Sequence, residues 1–369
     1  MFHMNRSRIL IIHTNMGIGG VETVFYELSN EWKKYCDVTF LLFQTNDNSI
    51  ERTSDGIEFI RIPNIKYRYA IFKFLYYIKM NHYDYIITGL NNTNILSCLI
   101  KLFYHGKCFH ILTQHDYMKV QDNNLKGIKK TIFPLIIRCA YRFADKIITV
   151  SKGVNEFVLS LGVNKEKVIT IFNPIDFDKI QIKSCELVDT MVFNDACIYI
   201  SFCGRLSDIK NIPLLIHAVG ILKNHISIKL LIIGDGPQKD ILIDLVDSCK
   251  LSDYIIFLGA QINPYKYIKR TSLLVLPSFS EAFPMVLLES LALGITPVTT
   301  PNKGSIEILG DHYGYIAHTF DNPQILANSI LDAINRPISP DKLQLYAKQF
   351  SVKKIAQTYL NEMFKLSEK

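Results

Sequence analysis

The chain has 369 residues, 49% of them apolar and 20% charged. That is material for two or three domains with cores of their own, which excludes a disordered tail or a disulfide-stapled miniprotein. The net charge of +7 is uneven: residues 1–172 hold 22 Lys and Arg against 14 Asp and Glu, and residues 173–369 hold 19 against 20. The basic half is expected to meet something anionic, and sign alone fits a lipid headgroup, a phosphate-bearing substrate or a nucleic acid.

No apolar run reaches about 18 residues, so no bilayer span is expected. The opening MFHMNRSRILIIHTN reads as a first strand rather than a signal peptide. The eight cysteines are scattered, without a C-x-x-C pair, which predicts reduced thiols in a cytosol.

From there, short β-branched runs alternate with helical patterns: RILIIHT (8–14), DVTFLLFQ (37–44), IEFIRIP (57–63), DYIITGL (84–90), CFHILTQH (108–115), DKIITVS (145–151) and VITIFNP (168–174). A second series follows with CIYISFCGR (197–205), IKLLIIGDG (228–236), YIIFLGA (254–260), LLVLPS (273–278), TPVTTP (296–301) and GYIAH (314–318). Strands separated by helix-length segments predict parallel sheets covered on both faces, hence an α/β chain of two doubly wound, Rossmann-like domains facing a cleft. The boundaries expected are 1–175 and 190–350, with a linker near residues 175 to 195 and a last helix, about 351–369, packed back on the first domain. Ligands of such sheets bind beyond the carboxyl ends of the strands.

The most informative segment there is PSFSEAFPMVLLESLALG (277–294), after a strand and opening a helix, with Glu281 and Glu289 eight apart. A loop Glu281 suits sugar hydroxyls, and the amides of Phe283, Met285 and Val286 suit an anion at the helix start. The same spacing also fits a plain cap by Ser280 or Glu281, with Glu289 in solvent. GRLSDIKN (204–211) places Arg205 and Lys210 at another strand end, where Gly204 lets the backbone approach a ligand. Two cations beside a helix N-terminus make a diphosphate clamp, unless both are ordinary solvated charges.

Together, GRLSDIKN, GDGP (234–237), FLG (257–259), SEAFPMVLLES and TPVTTPNKGSIEIL (296–309) resemble the donor half of glycosyltransferase family 4. The resemblance implies the GT-B fold and retaining transfer of a hexose or N-acetylhexosamine from a nucleotide diphosphate sugar, with UDP the commonest nucleotide. It also implies no metal and no other cofactor. Arg205 and Lys210 would hold the diphosphate, Glu289 the ribose and Glu281 the transferred sugar; Gly259 falls within the matching FLG. NMGIGGVE (15–22) resembles the family's glycine turn through Gly19 and Gly20, and His115 with Asp116 matches its cleft histidine in position. A lone His at a strand end also serves as a structural residue. Two departures stand out: Ala282 where relatives carry Gly, and Pro174 in NPID (173–176) where they carry Gly.

Rival patterns are weaker. Glu22 stands where a dinucleotide fingerprint needs its third glycine. Asp176-Phe177-Asp178 falls at the linker, where a turn is expected. His105, Cys108, His110 and His115 fit no zinc spacing, and alternation sends His110 and His115 to opposite faces. In KYRYAIFKFLYYIKM (66–80), Ile71, Phe74, Leu75 and Ile78 share one helical face, leaving Tyr69, Phe72, Lys73, Tyr76 and Lys79 on others. With Lys126, Lys129, Lys130, Arg138 and Arg142 these form a candidate surface for anionic lipid, the alternative being a buried helix with solvated lysines.

The function expected is therefore a cytoplasmic, peripheral glycosyltransferase acting on a lipid-diphosphate-linked glycan in surface polysaccharide synthesis. The other classes are a nucleotide-sugar 2-epimerase on the same fold and a basic nucleic-acid-binding protein. No nucleic-acid motif is present, so no nucleic-acid partner is expected.

Overall fold

The computed structural model describes residues 6–14, 19–43, 54–62, 67–104, 106–117, 128–188, 193 and 196–368, the side chains of 67–71 and 128–134 excepted. The chain divides into two compact units, residues 1–174 with 352–369 and residues 175–351.

In the first unit, the described residues form seven parallel strands: β1 Arg8–His13, β2 Asp37–Phe43, β3 Ile57–Ile62, β4 Tyr85–Thr88, β5 Phe109–Gln114, β6 Lys146–Thr149 and β7 Val168–Thr170. Their order is β3-β2-β1-β4-β5-β6-β7. The helices are α1 Gly20–Trp32, α2 Tyr67–Asn81, α3 Asn91–Phe103, α4 Ile128–Tyr141 and α5 Lys152–Ser160. Ile9, Leu10, Ile11 and Ile12 are all fully buried, because a central parallel strand is covered on both faces and cannot alternate.

The second unit has a six-stranded parallel sheet in the order β10-β9-β8-β11-β12-β13. Its strands are β8 Ile198–Cys203, β9 Ile228–Ile233, β10 Ile255–Gly259, β11 Leu273–Leu276, β12 Thr296–Thr299 and β13 Tyr315–Ile316. Its helices are α6 Phe177–Ser184, α7 Ile212–Leu222, α8 Lys239–Ser248, α9 Tyr265–Ile268, α10 Met285–Leu293, α11 Lys303–Leu309, α12 Pro323–Asn335 and α13 Pro340–Ala347. α10 is apolar nearly all round and buries Leu287, Leu288, Leu291, Ala292 and Leu293, as expected of a helix enclosed by its neighbours.

α14, Val352–Ser367, closes the first unit. Trp32 at the end of α1 donates its indole N–H to the carbonyl of Ala356 at 3.2 Å, and its ring lies 5.6 Å from that of Tyr359. Glu362 of the same helix pairs with Lys146 at 2.9 Å.

Each of the thirteen runs read from sequence forms a strand, yet the observed strands are shorter, mostly at their carboxyl ends. The surplus residues, such as Gly204 and Arg205, already belong to the loops that leave the sheet. The stretch read as a linker also differs. α6 occupies its first part, capped by Asp176, whose carboxylate accepts the Lys179 amide at 3.0 Å. Asp176 is thus a helix cap, the commonest use of a side chain that competes for backbone N–H groups.

Candidate functional site

Strand order reverses between β8 and β11 in the second unit, the position at which open α/β sheets bind ligands. The loop after β8 carries Gly204, Arg205 and Lys210, and the loop after β11 carries Glu281 and leads into α10. The two loops are tied together: the Phe279 amide donates to the Ile209 carbonyl at 2.9 Å. That bond sets Lys210 beside Glu281, and Lys210 Nζ reaches Glu281 Oε1 at 2.6 Å. Their side chains are only 20% and 12% exposed. Lys210 is therefore not a solvated surface charge, whereas Arg205 is exposed.

Close backbone packing holds these loops. A Cβ on Gly234 would lie 1.9 Å from the Gly204 carbonyl oxygen, and Gly234 has φ +147°. A Cβ on Gly304, at the start of α11, would lie 2.4 Å from the Glu281 carbonyl oxygen, to which the Gly304 amide donates at 3.1 Å. Only glycine fits either place. Gly204 and Gly259 also have positive φ.

No side chain caps α10; Pro284 occupies its N-cap position, so neither Ser280 nor Glu281 has the capping role that the spacing allowed. First-turn amides of a helix have no acceptor within it, and Met285 and Val286 are half-buried at that end. The Phe283 ring is buried against Phe350 and anchors the loop. Glu289, on the second turn of α10, accepts a hydrogen bond from the Tyr265 hydroxyl at 3.2 Å. Part of the residue reaches solvent, yet burial pushes its carboxyl up to about 7, against the smaller opposing effect of the Tyr265 bond. Burial also raises the thiol of Cys203, the last residue of β8, with Glu289 raising it further and Lys210 lowering it. Both charges are therefore within electrostatic reach of one strand end.

In the first unit the candidates lie after β1 and β5. Gly19 precedes α1 in extended conformation with the Glu22 side chain folded back over it, and open space surrounds the Cβ position of Gly20. Residues 15–18 of the glycine turn lie outside the described residues, as do His105, Lys126 and the side chains of Tyr69, Ile71, Lys129 and Lys130. His115 is held by Thr113, 2.8 Å between Nε2 and Oγ1, and by the ring of Phe25 at 5.8 Å. The ring of His13 also lies against Phe25, at 5.9 Å. Burial, and then the neighbouring His13, lower the His115 imidazole to about 3, so it is neutral at ordinary pH. Its Nδ1 has no hydrogen-bond partner among the described residues. His110, by contrast, bonds Ser97 of α3 at 2.8 Å, on the opposite face from α1.

Sequence reasoning missed the polar network beneath Asp116. Gln114 Nε2 donates to Asp116 Oδ1 at 2.7 Å and to Asn91 Oδ1 at 3.0 Å. Gln114 Oε1 accepts from the Tyr141 hydroxyl at 2.5 Å, and that hydroxyl accepts from Asn94 at 2.9 Å. Burial raises the Asp116 carboxyl above its ordinary range while bonds from Asn91 and Gln114 oppose this. The available signal was NNTN at 91–94, amides directly after a strand end. Tyr265 left no comparable signal beside Glu289.

Residues 191–350 match the family described as Glycosyl transferases group 1, and residues 18–179 match Glycosyltransferase Family 4. The chain is 30% identical over 283 residues to the N-acetylgalactosamine-N,N'-diacetylbacillosaminyl-diphospho-undecaprenol 4-alpha-N-acetylgalactosaminyltransferase of Campylobacter jejuni, covering 73% of each. The chain belongs to glycosyltransferase family 4.

This glycosyltransferase is also 30% identical over 288 residues to the O-antigen biosynthesis glycosyltransferase WclY of Escherichia coli, across 76% of this chain and 79% of WclY. In structure it is similar to Anabaena HepE, solved with UDP and glucose, with TM-score 0.82 over 97% of this chain and all of HepE at 17% identity. The glycosyltransferase has the GT-B fold. Among the described residues no helix is long and apolar enough to cross a membrane, and no group of three or more His, Cys, Asp or Glu is arranged to hold a metal ion.

Proposed function

We propose that this glycosyltransferase moves a hexose or N-acetylhexosamine from a UDP-sugar to a lipid-diphosphate-linked glycan with retention of anomeric configuration. The observation that carries the donor side is the convergence of Lys210 and Glu281 at 2.6 Å where the strand order reverses, with Glu289 and Arg205 on the adjoining elements. Arg205, Lys210 and the first-turn amides of α10 bind the diphosphate, whose charge grows as the sugar leaves. Glu281 accepts from sugar hydroxyls and Glu289 from the ribose. Because these groups supply positive charge to the leaving diphosphate, the reading needs no resident metal and no cofactor.

The acceptor side rests on relatives and on the first unit. The Campylobacter enzyme is named for a diphospho-undecaprenol acceptor, and the HepE complex contains UDP. Gly19, Gly20, His115 and Asp116 contact the acceptor or the sugar in this reading, with His115 acting as a neutral hydrogen-bonding group. A site of action on the cytoplasmic face of the plasma membrane goes with that acceptor. No side-chain nucleophile is assigned; the departing diphosphate takes the acceptor proton on the same face of the sugar.

Thermal-shift screening against UDP-, GDP-, ADP- and dTDP-sugars tests the donor, followed by transfer to a lipid-linked acceptor. Stabilisation by a UDP-sugar and a product of retained configuration are expected. Isomerised sugar from donor alone would replace this reading with the 2-epimerase.

A further inference from the structure

Helices α2, α3 and α4 all cross from one strand to the next in the same direction along the sheet, so right-handed crossovers set them on one face of the first unit. α3 packs against both of the others. The three contain no Asp or Glu, against seven Lys and Arg, of which Lys101 is paired with Asp145; α5, on the same face, adds Lys152 and Glu156. Their inner sides are ordinary core: Phe74 and Ile78 of α2 are fully buried. Their outer sides are not. Phe72 is 71% exposed, Tyr76 69% and Phe103 66%, and Leu135 of α4 is 55% exposed. Phe72 and Tyr76 lie one turn apart, with Lys73 and Lys79 exposed beside them, and Arg138 is exposed on α4.

We propose that this outer face of α2, α3 and α4 is the surface by which the glycosyltransferase lies on an anionic lipid bilayer, its aromatic and aliphatic side chains in the interface and its cations at the headgroups. Charge complementarity decides the occupant. A second copy would bring the same cationic face, since a two-fold contact pairs a patch with itself, and the two would repel. A nucleic acid would satisfy the cations and leave the exposed Phe and Leu side chains wet. An anionic bilayer satisfies both, because aromatic rings and aliphatic side chains settle at the acyl boundary while Lys and Arg meet the phosphates. The proposal deepens the reading of a lipid-linked acceptor and rests on that reading for its purpose.

The test is co-sedimentation of the full chain with acceptor-free vesicles, either phosphatidylglycerol mixed with phosphatidylcholine or phosphatidylcholine alone. Two variants are compared with the wild type: Lys73→Glu with Arg138→Glu, and Phe72→Ser with Tyr76→Ser. All four positions are exposed, and each variant is also scored for its thermal shift with UDP-sugar, which reports a folded donor unit. Binding to the anionic vesicles alone is expected, with partitioning at least about tenfold weaker in the charge-reversed variant and in high salt, and also weakened in the serine variant. Equal binding to both vesicles, no binding, or unaltered binding by either variant overturns the surface, as does a wild-type dimer that the serine variant dissociates. Vesicle binding without any nucleotide-sugar shift would instead contradict the donor reading and leave the surface standing.

Discussion

Lys210 Nζ lies 2.6 Å from Glu281 Oε1, so the cation assigned to the donor's diphosphate is held by the carboxylate assigned to its sugar. The pair keeps two largely covered charges from being stranded, since an unpaired buried charge is costly. Under the proposed assignment, an arriving diphosphate would compete with Glu281 for Lys210. Glu281→Gln should therefore bind UDP itself a few-fold more tightly than wild type, while turnover of UDP-sugar falls. Weaker UDP binding by Glu281→Gln, measured by calorimetry, would count against this competition.

Arg205 is exposed, so Arg205→Ala should leave stability within about 0.5 kcal/mol. Turnover should drop on the order of 10²-fold, as when a preorganised donor to developing charge is lost. Normal turnover by the folded variant removes Arg205 from the reaction.

If Glu289 holds the ribose as proposed, donor binding should be sensitive to pH. Its folded carboxyl titrates near 7, above the ordinary 4.5. The folded chain therefore binds this proton more tightly, and that contribution to stability is complete below about 4.5 and lost as pH rises through about 7. The melting temperature of Glu289→Gln should accordingly gain on wild type between pH 5 and pH 8. UDP affinity should rise more steeply in the wild type than in the variant over the same window, because the terminal phosphate of UDP ionises near about pH 6 for both but only the wild type gains an ionised carboxylate for the ribose hydroxyl. A parallel pH dependence in both proteins would refute the assignment.

His115 should stay neutral. With its imidazole lowered to about 3 from 6.5, the stability it contributes is fully present above 6.5 and is lost as pH falls toward about 3. NMR of the His115 ring should show no titration between pH 5 and pH 8, and the pH–rate profile should contain no limb that His115→Gln removes.

Gly234 and Gly304 serve the geometry of the loops rather than the chemistry. Alanine at Gly234 meets the Gly204 carbonyl at 1.9 Å, and the chain must shift to admit it. Gly234→Ala should destabilise by more than about 2 kcal/mol, read from denaturant unfolding. A smaller loss accompanied by intact donor binding would show that the loop yields easily.

Alternating β-branched runs such as RILIIHT and IYISFC carry the fold in the sequence because a parallel strand covered on both faces must be apolar along its length. The positions of Arg205, Lys210, Glu281 and Glu289 were legible for a different reason: the first three follow strand ends and Glu289 lies on the second turn of the helix that opens there, in the region where ligand sites gather. The salt bridge between Lys210 and Glu281 was not legible. It joins residues 71 apart, and the Phe279–Ile209 backbone bond that aligns them leaves no trace in residue type. Tyr265 was hidden likewise, and of the Asn91–Gln114–Tyr141 network only the amides of NNTN left a signal, since partners brought together by tertiary packing show no periodicity. Asp176-Phe177-Asp178, read as a turn, instead has its first member capping a helix.

The most direct measurement is the affinity of UDP for the chain carrying Arg205→Ala with Lys210→Ala, by calorimetry beside wild type. Two lost charge-assisted contacts predict binding weaker by roughly a hundredfold or more in a protein that still unfolds cooperatively. Wild-type affinity in that variant would mean that the diphosphate rests elsewhere, and the account of the donor site would be wrong.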